Sequence, residues 1–143
     1  EIIIVHCGNS NELFSSYDLW HVADCINYYD FHQKVNQKGV SEAIRDYQHD
    51  FEQDSVIQVF NDKFLMDKGY AYLNGGKVED AKKLFGLNIK MHPDSWNLYN
   101  NLAEAFSKAG EIDSAIVYYK KSLLLKPENN WATEALEIME END

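Results

Sequence analysis

Residues 65–93, LMDKGYAYLNGGKVEDAKKLFGLNIKMHP, and residues 99–127, YNNLAEAFSKAGEIDSAIVYYKKSLLLKP, are two versions of one pattern. Leu65, Gly69, Tyr72, Gly76, Ala81, Phe85 and Pro93 return as Tyr99, Ala103, Phe106, Gly110, Ala115, Tyr119 and Pro127, each shifted by 34 positions. Apolar, small, aromatic and proline positions are replaced in kind, and the chain's only two prolines stand one period apart. A repeat of this length means that each unit is one supersecondary motif, which buries its apolar face by stacking on its neighbour.

Each unit carries its own punctuation. Leu65, Gly69 and Tyr72 share one stripe of a helix, and the small residue at Gly69 or Ala103 lets a neighbouring helix come close. Gly75-Gly76 and Ala109-Gly110 end the first helix, because glycine accepts the left-handed backbone that a helix terminus often needs. Pro93 and Pro127 stop the second helix. The sequence therefore predicts a helix, a tight turn, a second helix and a stop, twice over.

These residues resemble the tetratricopeptide (TPR) family, whose pattern is W-x2-L-G-x2-Y, then A-x3-F, then P. The first copy runs Leu65-x2-Lys68-Gly69-x2-Tyr72, Ala81-x3-Phe85, Pro93; the second runs Tyr99-x2-Leu102-Ala103-x2-Phe106, Ala115-x3-Tyr119, Pro127. Leu65 and Tyr99 replace the opening Trp, and Lys68 stands where Leu is usual, with a stem long enough to carry its charge to water. The resemblance implies an all-α fold, a right-handed α-α superhelix of helical hairpins.

Two units are too few for a stable array, so the flanks are expected to add layers. Gly39 to Tyr47 echoes Gly76 to Phe85, with Ala43 and Tyr47 spaced as Ala81 and Phe85. Trp131, Ala135, Ile138 and Met139 form an apolar stripe on a final helix that ends in acidic residues. The expected organisation is an N-terminal strand and helix at 1–30 and a repeat domain at 31–143. That domain comprises a degenerate repeat at 31–60, repeats at 62–95 and 96–129, and a capping helix at 130–140.

The N-terminal stretch departs from the repeat. Ile2-Ile3-Ile4-Val5 is a β-branched apolar run closed by Gly8-Asn9-Ser10, which predicts a short strand, and Tyr17 to Tyr29 predicts a helix with Leu19, Val22, Ala23 and Ile26 toward one side. A lone strand needs a partner for its backbone groups. Ile2, Ile3, Ile4 and Val5 are therefore expected to pair with a second copy of the chain or with a parent domain. Ile2 to Asn9 followed by His21 to Ile26 is similar to the closing strand and helix of bacterial serine hydrolases of the β-lactamase and penicillin-binding class. That resemblance implies an alternative role as a C-terminal accessory region of a larger hydrolase. On this alternative the setting is periplasmic or secreted; a complete chain would be cytoplasmic.

No catalytic motif is present. No Ser is followed three residues later by Lys, and the G-x-S-x-G elbow, Walker loop, H-E-x-x-H helix and EF-hand loop are absent. His6-Cys7-Gly8 outlines an H-x-G element but lacks a nucleophile. Cys7 and Cys25, with His21 one turn before Cys25, do not have the paired spacing of a zinc site, so separate thiols are expected, or a disulfide if the Cα atoms approach. Neither a metal nor a cofactor is expected. With 13 basic and 24 acidic residues the formal net charge is −11, which opposes binding to a phosphate backbone. No apolar run is long enough to span a membrane.

Function is then a matter of surface, and the expected partner is a protein or peptide. On the first helix of the first repeat, the face turned from the Leu65-Gly69-Tyr72 stripe carries Lys63, Met66, Asp67, Tyr70 and Asn74. The counterpart carries Asn97, Asn100, Asn101, Glu104 and Lys108. The TPR resemblance implies that these residues line a concave groove, with the Asn100 and Asn101 amides and Tyr70 offered to a peptide and Trp131 closing the far end. Asp67 and Glu104 interrupt the cationic and amide set with which some TPR domains hold a terminal carboxylate, and would repel one.

Overall fold

A computed structural model describes residues 19–53 and 62–141, with side chains described from residue 28 onward apart from Phe51 and Gln53. Ile2 to Val5 and Cys7 lie outside the described residues, as do the side chains of Leu19 to Ile26, including Cys25. Among the described residues every regular element is an α-helix: α1 (Leu19–Lys38), α2 (Val40–Gln53), α3 (Asp62–Asn74), α4 (Val78–Met91), α5 (Trp96–Lys108), α6 (Ile112–Leu125) and α7 (Asn130–Glu141). None is long and apolar enough to cross a membrane. The chain divides into two compact units, Glu1–Phe60 and Asn61–Asp143.

The first unit is a hairpin of α1 and α2. Gly39 joins them with φ of 87°, and α1 is continuous through residue 30. Phe31, Val35, Val40, Ala43 and Tyr47 are buried between the two helices, and the Phe31 and Tyr47 rings meet edge to face at 6.1 Å. Lys34 closes the outside of the hairpin with Asp30 at 2.9 Å and Asp50 at 3.1 Å. Its hydrogen bond to Asp30 raises the ammonium pKa, against the opposing effect of burial.

In the second unit each pair of helices turns in the same way. The Gly76 and Gly110 backbones have φ of 76° and 79°, a region in which a side chain other than glycine's is strained. Lys77 N–H donates to Tyr72 O at 2.9 Å and Glu111 N–H to Phe106 O at 3.0 Å. These bonds cap the last carbonyls of α3 and α5. Gly69 lies against Phe85 within the first pair, where the Phe85 ring occupies the space that a side chain at residue 69 would need.

Packing between pairs uses the repeated positions. Leu73, Ala81 and Phe85 join Leu102 and Ala105 in one cluster. Ala103, Ala115, Tyr119, Ala132 and Leu136 form the next. Lys82 ties the outside of the first junction, holding Glu79 and Glu111 at 2.6 Å each and lying 4.9 Å from the Phe106 ring centroid. Desolvation lowers its pKa and the two carboxylate hydrogen bonds more than reverse that.

Polar side chains recur at the same period. Asn88 Nδ2 donates to Asp62 O at 2.7 Å, and Ser122 Oγ donates to Trp96 O at 2.9 Å. Each ties the second helix of a pair to the first residue of its own first helix. Asn129 extends the second tie, donating to Ser122 Oγ at 3.0 Å and to Asn100 Oδ1 at 3.1 Å. Buried amides keep their place only when bonded, so these contacts fix the register of each pair.

Helix α7 follows the second pair and packs on α6 through Ala132 and Leu136. Gly69 and Ala103, the small residues that receive Phe85 and Tyr119, have Glu137 as their counterpart one period on, and Glu137 is exposed.

Candidate functional site

The first helices of the pairs, α3 and α5, and helix α7 present equivalent ridges. Side chains three and four positions apart share a helical face, which places Lys63, Asp67, Tyr70 and Asn74 together on α3. The same registers on α5 hold Asn97, Asn101, Glu104 and Lys108. On α7 they hold Trp131, Ala135 and Ile138.

The centre of this surface is a bridge between equivalent positions of adjacent repeats. Tyr70 Oη lies 2.9 Å from Asn101 Oδ1 and 3.1 Å from Glu104 Oε2. One hydroxyl carries one proton, and a carboxylate only accepts. The network is satisfied when Tyr70 donates to Glu104 and the Asn101 amide is turned so that Nδ2 donates to Tyr70. That orientation also gives Asn101 Nδ2, otherwise buried without a partner among the described residues, its hydrogen bond. Burial first, and Glu104 second, push the Tyr70 phenol far above its ordinary pKa of 10.0, so it remains a donor throughout the neutral range.

Two ion pairs flank the bridge. Lys63 meets Asp67 at 2.6 Å, and Lys108 meets Glu104 at 3.0 Å. Both are spaced four residues apart within one helix, where exposed pairs are worth roughly 0.3–0.5 kcal/mol. Each cancels the charge it brings, which leaves the α3 and α5 ridges close to neutral. Asn97 is half-buried and accepts from Ser95 Oγ at 2.6 Å.

The structure sorts the residues expected in the groove. Lys63, Asp67, Asn74 and Lys108 are exposed, and Tyr70, Asn97 and Glu104 are half-buried on the same ridges. Asn101 is 4% exposed and reaches the ridge through Tyr70. Met66 is half-buried at the flank of α3. Asn100, at the matching flank of α5, is 1% exposed and accepts from Asn129. Its amide serves the interior, so only Asn101 of the two amides joins the Tyr70 bridge.

On α7 the apolar stripe is rotated from its expected position. Ala132 and Leu136 are buried, Ala135 and Met139 are half-buried, and Trp131 and Ile138 are 50% and 61% exposed. Ile138 was therefore missed as a surface residue. The signal was present in the period, since Trp131 and Ile138 stand one repeat after Asn97 and Glu104. Lys68 is half-buried beside the site, and desolvation lowers its pKa.

The bridge makes an alkaline prediction. Tyr70, Tyr72 and Tyr119 all have raised pKa values, chiefly through burial. The folded state therefore holds their protons after an unfolded phenol, with pKa near 10, has lost its own. Stability from this source is complete below about pH 10 and declines as pH rises further. Tyr70→Phe should cost about 0.5–1.5 kcal/mol at pH 7 through the lost hydrogen bond, yet show a shallower fall of Tm above pH 10. Identical alkaline slopes for the two proteins would remove Tyr70 from this account.

Comparison with known proteins agrees with this architecture. The tetratricopeptide repeat family model matches residues 96–129. The first TPR of Spaghetti (RPAP3), bound to the HSP90 peptide SRMEEVD, is 19% identical with a TM-score of 0.57, covering 85% of this chain and 93% of that one. The second TPR domain of human RPAP3, in complex with the HSP70 peptide SGPTIEEVD, is 20% identical with a TM-score of 0.56, covering 84% and 97%. The Arabidopsis OM64 TPR domain is 14% identical, with a TM-score of 0.56 and coverage of 85% and 98%. Residues 96–129 are thus a tetratricopeptide repeat, and the chain has the fold of tetratricopeptide-repeat domains.

Proposed function

We propose that the chain is a non-catalytic protein-interaction module that holds a peptide or a partner's segment along the ridges of α3, α5 and α7. The observation that carries this reading is the Tyr70–Asn101–Glu104 bridge. It fixes the relative placement of two adjacent ridges while leaving their outer side chains exposed, so a ligand would meet a surface ordered in advance and lose less freedom on binding. Peptide occupancy in the two RPAP3 structures supports the reading by analogy of fold.

Selection from a random phage-displayed peptide library, followed by calorimetry on the enriched peptides, tests it. The double variant Asp67→Ala/Asn97→Ala should lose about tenfold or more in affinity, the range expected when polar contacts at an interface are removed. Val117→Ser/Leu124→Ser, on exposed positions of α6, should bind as the parent does. No enrichment, or equal binding by the α3/α5 variant, would overturn the assignment.

A further inference from the structure

We propose that the α7 end of this groove binds a cationic amphipathic segment, with a bulky apolar residue seated on Trp131 and Ile138 and Lys or Arg side chains facing Glu134, Glu137 and Glu141. The proposal rests on the groove reading above and adds the chemistry of the ligand. Trp131 and Ile138 are seven residues apart, two helical turns or about 10 Å along α7, and both remain half exposed or more although their neighbours Ala132 and Leu136 are buried. They form an apolar ridge at the edge of the packed face.

The acidic strip lies directly beside that ridge. Helix α7 contains four Glu and no Lys or Arg. Glu140 pairs with Lys120 at 3.7 Å; Glu134, Glu137 and Glu141 are exposed and make no ion pair with any described residue. The α3 and α5 ridges neutralise themselves through Lys63–Asp67 and Glu104–Lys108, so the uncompensated charge of the surface is concentrated at α7.

Charge complementarity decides among occupants. A second copy docking its own α7 would oppose three carboxylates with three more, and like charges across an interface cost several kcal/mol. An acidic tail meets the same repulsion. A cationic segment gains from the carboxylates and from the Trp131 face, which attracts ammonium and guanidinium groups, while its apolar residue removes the ridge from water. The net charge of −11 favours encounter with such a ligand as well.

The test uses the full chain and three short fluorescein-labelled peptides read by anisotropy. One alternates Leu or Phe with Lys and Arg, one replaces every Lys and Arg by Glu, and one is the acidic SRMEEVD. The cationic peptide should bind, and should weaken at least tenfold on raising salt to about 0.5 M. Glu134→Lys/Glu141→Lys should reduce its affinity about tenfold or more, and Trp131→Ala should do so independently of salt. Glu134 and Glu141 are exposed, so the thermal melt of the charge-reversed variant should match the parent's. Equal binding of the cationic and acidic peptides, or unchanged affinity in the charge-reversed variant, would overturn the proposal. If an acidic peptide binds and is lost with Asp67→Ala/Asn97→Ala, the groove reading stands and this inference fails. If no peptide responds to either set of variants, both fail.

Discussion

Replacing Phe85 by Ala is expected to destabilise the second unit by about 3–5 kcal/mol, the range for truncating a fully buried aromatic side chain. The ring is completely buried. It lies over Gly69 of α3, meets the Tyr70 ring edge to face at 5.3 Å, and shares a cluster with Leu73, Ala81, Leu102 and Ala105. One side chain therefore joins α3, α4 and α5. Its loss opens a cavity whose walls are helices held elsewhere by turns and polar ties, which limits collapse into the space. Against a typical total stability of about 5–15 kcal/mol, this single change approaches the threshold of unfolding. Urea titration followed by circular dichroism measures it, with Phe85→Leu as a milder comparison expected to cost about 1–2 kcal/mol. A cost below about 1 kcal/mol for Phe85→Ala would mean that the junction is not a rigid core.

The Phe85 position is legible in the sequence because it belongs to the period. So are the glycine turns: Gly76 and Gly110 are where the pattern places them, with the positive φ that glycine accepts. These features repeat because every hairpin of an array solves the same packing problem, and repetition amplifies a signal that one copy would leave weak. The polar ties are different. Asn88 and Ser122 perform one task, each bonding to the main-chain carbonyl of residue 62 or 96. Amide and hydroxyl share little as letters, and a carbonyl acceptor has no identity in the sequence at all. Nothing but geometry reveals that they are equivalent.

The candidate site divides along the same line. The α3 and α5 ridges followed from helical spacing, because exposure there is set by which face packs. Asn100 did not follow, since its burial depends on Asn129 arriving from the loop after α6, a contact across 29 residues. Nor did the exposure of Ile138. A stripe of apolar residues on a terminal helix is ordinarily its buried face, and only alignment with Asn97 and Glu104 rotates that stripe toward the groove. The apolar character that suggested burial is instead carried by two exposed side chains, and it is the property on which the proposed docking at α7 rests.

Gly69→Ala should destabilise the protein by about 1–3 kcal/mol, the cost of overpacking a well-filled core, despite the gain of about 0.5–1 kcal/mol that Ala brings to a helix interior. A methyl at residue 69 would come within 2.7 Å of Phe85 Cδ1 and Cζ and closer still to Cε1. The obstacle is a buried ring with no free side to swing toward, unlike the tip of a surface chain. Gly86→Ala on α4 is the control: a methyl there would meet nothing within 4 Å, so the same substitution should stabilise by about 0.5–1 kcal/mol. The second repeat supplies the competing outcome. Ala103 holds a methyl at the equivalent site and shares a cluster with Tyr119, the counterpart of Phe85, so the architecture accommodates a small side chain there in the second repeat. If the Phe85 ring can make the same room, Gly69→Ala will be neutral. If it cannot, the penalty should shrink in a Phe85→Leu background, and the non-additivity of the double-mutant cycle will measure the direct contact between the two positions.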